Sequence, residues 1–358
     1  MHYLCVLIAM LAITPISNSS AQAETCSKVK LHFKPDRTFK IVQFTDTQDD
    51  QDIDPRTVLL MEAVLDKEKP DLVVFTGDNI AGGPSSGGLK TRDDVRKAID
   101  NIAAPVDSRG IPWLITFGNH DAERASITGM DEDAMLEIYM SYPYNINQPS
   151  PKGVNGTGNM NTLVFGSKSR SPVFNVWALD SGTYAPEKIA DQTITDDILP
   201  GWGWMPYWDW IRPSQVEWYT NTSQKIEKTF RKKIPSLMFF HIPLQEFRTM
   251  YENGSNHGVT GVRNEDECPG PFNSGLFAAL LERGDVKGVF VGHDHINNYV
   301  GNYFGILLGY SANTGFGTYG LEGEDRDTLR GARVFTLHEK HPQNIDTYMI
   351  YAKDLEIQ

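Results

Sequence analysis

Five short stretches of this chain end in side chains that can bind a metal or move a proton. They are Asp46 in "FTDTQDD", Gly77-Asp78-Asn79, Gly118-Asn119-His120-Asp121, the single His241 in "FFHIPL", and Gly292-His293-Asp294-His295. Carboxylate and amide oxygens together with imidazole nitrogens suit Mn, Fe or Zn. One histidine after a strand is usually a hydrogen-bonded structural residue. Five such endings in order along the chain are hard to assign to coincidence.

Each stretch follows a β-branched or aromatic run, as in "FKIVQF", "DLVVFT", "PWLITF", "SLMFF" and "VKGVFV", which reads as a buried strand. Between the first two lies "DPRTVLLMEAVLDKEKP", with apolar residues at helical spacing and a proline near each boundary. "TRDDVRKAIDNIAAPV", "RPSQVEWYTNTSQKIEKTF" and "NSGLFAALLERG" read as helices on the same grounds. This alternation predicts a layered α/β fold, in which ligands sit beyond the carboxyl ends of strands. "NTLVFGSKSRSPVFNVWALDS" reads as two strands joined by a polar turn. The tail, from "YFGILLGYSANTG" through "GARVFTLHEK" to "IDTYMIYAKDLEI", reads as further strands. Two packed mixed sheets with helices outside accommodate both departures. Gly77, Gly118 and Gly292 fall where a strand must turn sharply for its side chains to converge.

The bulk properties narrow the partners. The chain has 358 residues, 22% of them charged and 40% hydrophobic, with a formal net charge of −13. That composition fits a soluble globular protein, and no basic track suggests nucleic acid as a partner. A small phosphate ester remains compatible, because bound cations reverse the local field. Residues 1–23 hold an apolar run from Tyr3 to Ile13 and the triplet Ala21-Gln22-Ala23. They read as a signal peptide, too short for a stable membrane span, with residues 24–358 forming one exported domain, secreted or periplasmic. Cleavage would leave Cys26 and Cys268, which could form a disulfide or remain a loose terminal thiol and a buried apolar residue. Asn155, Asn221 and Asn253 begin sequons that matter only in a eukaryotic secretory pathway.

The spaced motifs resemble the pattern D-x-H, GD, GNH[DE], an isolated His and GHxH of the calcineurin-like metallophosphoesterases. "PSQVEWY", "HIPLQEF" and "NSGLFAALLERGDVKGVFVGHDH" are most similar to the small single-domain purple acid phosphatase-like proteins. The resemblance spans Asp46 to His295 and implies a four-layer α/β/β/α sandwich. It further implies a site for two metal ions that hydrolyses phosphomonoesters by activating water. Asp78 would bridge the metals, Asp46 and His295 would hold the first, and Asn119, His241 and His293 the second. His120 would stabilise the transition state or protonate the leaving group, with Asp121 orienting its ring.

Two positions depart from the pattern. Ala81 stands where purple acid phosphatases carry the tyrosine that binds iron and colours them, so no purple band is expected. Gln48 stands where the superfamily supplies a first-metal histidine, leaving Asp46, Asp78 and His295. Gln48 could lend its amide oxygen or hold a water, while Asp49 and Asp50 read as a solvated acidic loop. A catalytically impaired metal-binding protein and a small-molecule phosphodiesterase are therefore the alternatives. Specificity would lie in loops. The segment containing Trp202, Trp204, Trp208 and Trp210 reads either as aromatics folded onto the domain or as the wall of a ligand pocket. His257 reads as an exposed loop residue, and Asp294 as pointing away from the metals.

Overall fold

The computed structural model describes residues 29–81, 88–189, 191–193, 207–323 and 327–357. The expected signal peptide, Cys26, Trp202 and Trp204 lie outside them. Thr38–Phe44, Leu72–Thr76 and Trp113–Thr116 pair in parallel, and the antiparallel hairpin Gly331–His338 and Ile345–Tyr351 completes a five-stranded sheet. A seven-stranded sheet runs in the order Leu31–His32, Met160–Phe165, Pro172–Ala178, Ser236–Phe239, Val286–Val291, Ile306–Tyr310, Val300–Tyr303. Its central four strands, from Pro172–Ala178 to Ile306–Tyr310, are parallel.

Side-chain alternation along the strands creates the layers. Val42 and Phe44 face the helices Pro55–Glu68 and Arg92–Asp107, packing with Leu60, Val64 and Ile99. Phe39 and Ile41 point the other way and meet Phe174, Phe239 and Phe290 of the second sheet. The far face of that sheet presents Met238, Val289 and Leu308 to helices Pro213–Phe230, Gln245–Glu252 and Leu276–Arg283. The result is the four-layer α/β/β/α sandwich expected from the pattern. Helices Glu132–Ser141 and Gln245–Glu252 were not legible in the sequence.

Helix starts follow local chemistry. Pro55 occupies the first turn behind Asp54, whose carboxylate accepts from the Arg56 backbone N–H. Thr91 and Asp94 form a reciprocal capping box at the start of Arg92–Asp107. Two buried polar residues tie the sheets at the end where the motifs emerge. Gln43 Nε2 donates to Thr76 Oγ1 and to the Val291 carbonyl at 2.8 and 3.1 Å. Arg333 donates to the carbonyls of Tyr310 and Asn298, both at 2.7 Å.

Candidate metal centre

All five predicted strand endings meet between the two sheets. Asp46, Asp78 and Asn119 come from consecutive parallel strands of the five-stranded sheet. His241, and the pair His293 and His295, come from neighbouring parallel strands of the other. Asp46, Asp78, Asn119, His241, His293 and His295 are each at most 7% exposed. The residues at these turns are strained: φ is 48° at Asp46, 48° at Asp78 and 77° at His293, in the left-handed region. The glycines beside them permit the close approach. A Cβ on Gly292 would lie 1.9 Å from Thr45 Oγ1 and 2.6 Å from Asp46 Oδ2. One on Gly77 would lie 2.6 Å from the His241 ring, at a φ of 85°.

Two groups of potential ligands share Asp78. Within Asp78, His241 and His293, and again within Asp46, Asp78 and His295, the donor atoms lie within 4.8 Å of one another. His241 Nδ1 faces the Thr76 carbonyl at 2.8 Å, which assigns that nitrogen the proton and leaves a lone pair on Nε2. Around Nε2 stand Asn119 Oδ1 at 3.1 Å, Asp78 Oδ2 at 3.2 Å and His293 Nδ1 at 3.3 Å. Four lone-pair donors facing one another repel unless a proton or a cation lies among them. Burial opposes charging the His241 ring, but Asp78 outweighs it and lifts the pKa to about 10. A divalent cation would take that proton's place. His293 Nε2 and Asn119 Nδ2 are buried without a hydrogen-bond partner, but as N–H groups they are not cation ligands. The oxygen and imidazole donors of the two groups could hold two cations, with Asp78, Asn119, His241 and His293 placed around one of them. On the other side, His295 Nε2 lies 3.3 Å from Asp46 Oδ1.

Gln48 does not turn its amide oxygen to this centre as a ligand. Gln48 Oε1 accepts the Thr318 hydroxyl, and Thr318 Oγ1 lies 3.5 Å from His295 Nδ1. Tyr319 stacks on the His295 ring, with centroids 3.9 Å apart and planes at 10°. Asp49 corrects the expectation of a solvated loop. It is buried, accepting the Thr57 hydroxyl at 2.8 Å and the Asp54 backbone N–H at 3.2 Å.

Asp121 corrects another expectation, since it does not orient His120. Its carboxylate accepts the backbone N–H groups of Gly118, Asn79 and Ile80 at 2.8, 2.9 and 3.1 Å, and so fixes the two ligand-bearing turns. His120 is bound into the site by its backbone N–H, which donates to Asp78 Oδ1 at 2.8 Å. Its ring nitrogen Nδ1 faces Glu123 Oε2 at 2.9 Å. Burial opposes charge on His120, and Asp78 and Glu123 override it to give a pKa of about 9. Glu123 was readable at three residues beyond His120, one turn away, but the nearer Asp121 drew the role.

The aromatic loop contributes a wall. Trp208 meets the His293 ring edge-on at 4.5 Å, and Tyr184 stacks on Trp208 at 5.3 Å. Trp210 instead packs on Phe272 and Arg212. His257, expected to be exposed, is half-buried beside Tyr303 with Nδ1 3.1 Å from the Asn302 carbonyl, and takes no part in the site. Asp294 points away, its Oδ2 accepting the Tyr310 hydroxyl at 2.6 Å. Cys268 carries a free thiol among the described residues. No described helix is long and apolar enough to cross a membrane.

Fold and site together define a two-sheet scaffold of the hydrolase type with two clusters of potential cation ligands at its strand ends. The profile of the calcineurin-like phosphoesterases matches residues 39–297, and the chain belongs to that family. It is 31% identical to a protein of Arabidopsis thaliana named probable inactive purple acid phosphatase 14, covering 99% of this chain and 94% of that one. Probable inactive purple acid phosphatase 29 of the same plant is 32% identical over 89% of this chain and 81% of its own. Phosphatase DCR2 of Saccharomyces cerevisiae is 33% identical over 69% of this chain and 39% of its own. Among solved structures, GAP50, the anchor in the inner membrane complex of Plasmodium, superposes with a TM-score of 0.51 at 14% identity. That match covers 89% of this chain and 86% of the other, and reflects shared fold.

Proposed function

We propose that this protein is a metal-dependent phosphoric ester hydrolase acting on small phosphomonoesters outside the cytoplasm. The observation that carries the reading is the pair of ligand groups sharing Asp78, with His120 anchored to the same carboxylate. Two ions of Mn, Fe or Zn bound there would supply Lewis-acid charge for the phosphoryl group and lower the pKa of water. Asp46 and His295 would hold one beside Asp78, and Asn119, His241 and His293 the other. His120 supplies a proton donor beside that centre, and Asp121 keeps the GD and GNHD turns in register. Trp208 and Tyr184 form a wall on one side, against the His293 ring. The apolar run before Ala23 supports export. The net charge and the absence of a basic track in the sequence favour a small ester over nucleic acid.

The test is turnover of an aryl phosphate by the full chain reconstituted with each metal. Asn119→Ala or His241→Ala should reduce turnover by at least about 100-fold with the fold retained, as expected when a cation clamp is lost. Absence of turnover with Mn, Fe and Zn at every pH from acid to alkaline would sink the reading. Gln48, turned onto Thr318, favours a second reading: a metal-binding protein of impaired activity, in keeping with the names of the plant relatives. Gln48→His separates the two. A working hydrolase gains affinity for its first metal and keeps turning over, whereas an impaired one stays silent until the imidazole is restored.

A further inference from the structure

The side chain expected to steer His120 is occupied elsewhere, since Asp121 accepts three backbone N–H groups of the ligand turns. The chain supplies another carboxylate in its place. After Asn119 the backbone turns, with the Glu123 N–H directed at the His120 carbonyl at 3.4 Å, which brings both side chains to one face. Glu123 Oε2 then lies 2.9 Å from His120 Nδ1. The other oxygen, Oε1, accepts the hydroxyl of Tyr184. Tyr184 is fixed in turn by stacking on Trp208, whose edge meets the ligand histidine His293. A mostly buried carboxylate hydrogen-bonded through Oε1, with Oε2 an ion-pair distance from the His120 ring, has little rotamer freedom, and neither partner is a metal ligand.

We propose that Glu123, held by Tyr184, is the positioning residue of His120 and directs that ring's Nε2 at the leaving group of a phosphate ester. The inference rests on the hydrolase reading given above. With Nδ1 beside Glu123 at ion-pair distance, Nε2 is the ring nitrogen left to serve the substrate. As the ester P–O bond breaks, the Nε2 proton passes to the departing oxygen, which leaves as an alcohol. Water forms the new P–O bond, and the proton it gives up restores the ring. Glu123 stabilises the charged ring before transfer and keeps it oriented afterwards, as the carboxylate partner of an acid-base histidine does. The arrangement makes the Trp208–Tyr184 wall part of the chemistry: it sets the angle of the acid.

The test uses the metal-loaded full chain and two esters, phenyl phosphate with a poor leaving group and 2,4-dinitrophenyl phosphate with a good one. Glu123→Gln should lower kcat on phenyl phosphate by about 10–100-fold, the range found when a carboxylate supporting a site histidine is lost. KM should stay near its starting value, and the loss on the dinitrophenyl ester should be much smaller. Tyr184→Phe should show the same pattern more weakly. In a His120→Ala background, Glu123→Gln should cost nothing further, because the two residues act as one unit. Equal losses on both esters, or full additivity with His120→Ala, overturn the proposal. A second readout needs no turnover: the ¹⁵N shifts of the His120 ring in the zinc-loaded chain, identified by their loss in His120→Ala. They should move in Glu123→Gln, and unchanged shifts also overturn it. Should the unaltered chain hydrolyse neither ester, the hydrolase reading falls, while the ring shifts still decide whether Glu123 positions His120.

Discussion

At the residue scale, the centre concentrates charges that the fold must hold together with or without a cation. Burial alone would push Asp78 upward, but His241 and His120 hold it well below the usual carboxylate range. His241, opposed by burial and lifted by Asp78, is at about 10. The pH dependence follows from linkage. A histidine at 6.5 in the unfolded chain and about 10 in the folded one stabilises fully below about 6.5. That stability is lost as pH rises toward 10. Cation-loaded protein no longer carries the His241 proton and escapes the loss. Thermal melts of chelator-treated and zinc-loaded protein between pH 6 and pH 10 should therefore diverge steadily, with the treated form falling faster. Groups away from the centre, such as half-buried Glu132, also lifted to about 10, are common to both samples and cancel. His120, opposed by burial and lifted to about 9 by the same Asp78, adds to the divergence. Parallel melting curves would show that His241 does not carry the proton assigned to it.

At the element scale, each ligand sits where a strand ends, and the turn rather than the strand decides its aim. Gly292 tests this cleanly because its backbone is not in the left-handed region and only space is at issue. Gly292→Ala places a methyl group against Thr45 Oγ1 and Asp46 Oδ2. It should cost about 1–3 kcal/mol of stability by overpacking and lower metal content with it. Gly129, with a φ of 67° and open space around it, is the control. Gly129→Ala should cost about 1–2 kcal/mol through its backbone alone and leave metal content unchanged. Denaturant unfolding with metal analysis of both variants checks the pair. These turns also explain what was legible in the sequence. Apolar runs ending in Asp46, Asp78, Asn119, His241 and His293 are local signals, and so the strands and their convergent endings could be read directly, whereas the four layers and the ligand roles came from the family resemblance. Asp121 and Glu123 could not be ranked, because the backbone amides that occupy Asp121 belong to two separate turns. The burial of Asp49 depends on Thr57 and Asp54 across a loop, and the pairing of Tyr184 with Trp208 crosses a long excursion of chain.

At the scale of the whole molecule, the cation centre is a joint between the two sheets. Asp46, Asp78 and Asn119 are carried by one sheet and His241, His293 and His295 by the other, with Gln43 and Arg333 bridging beside them. A cation that binds this rim binds only the folded arrangement, so its binding energy adds to stability by mass action. Each site should add about 2.7 kcal/mol when free metal reaches 100 times its Kd. The two sites should not fill together. On the proposed assignment Asn119, His241 and His293 would complete one cation's set beside Asp78, whereas position 48 offers no imidazole to the other. Titrating zinc into chelator-treated protein should therefore raise the melting temperature in two steps separated in concentration. His295→Ala should delete the step at higher concentration and spare the lower one, while His293→Ala should remove the lower step. A single step, or loss of both on changing His295, would show the ligand groups to be one cooperative site. Two separable steps would mean that the first cation staples the sheets together and the second, held less tightly, arrives on a rim already formed.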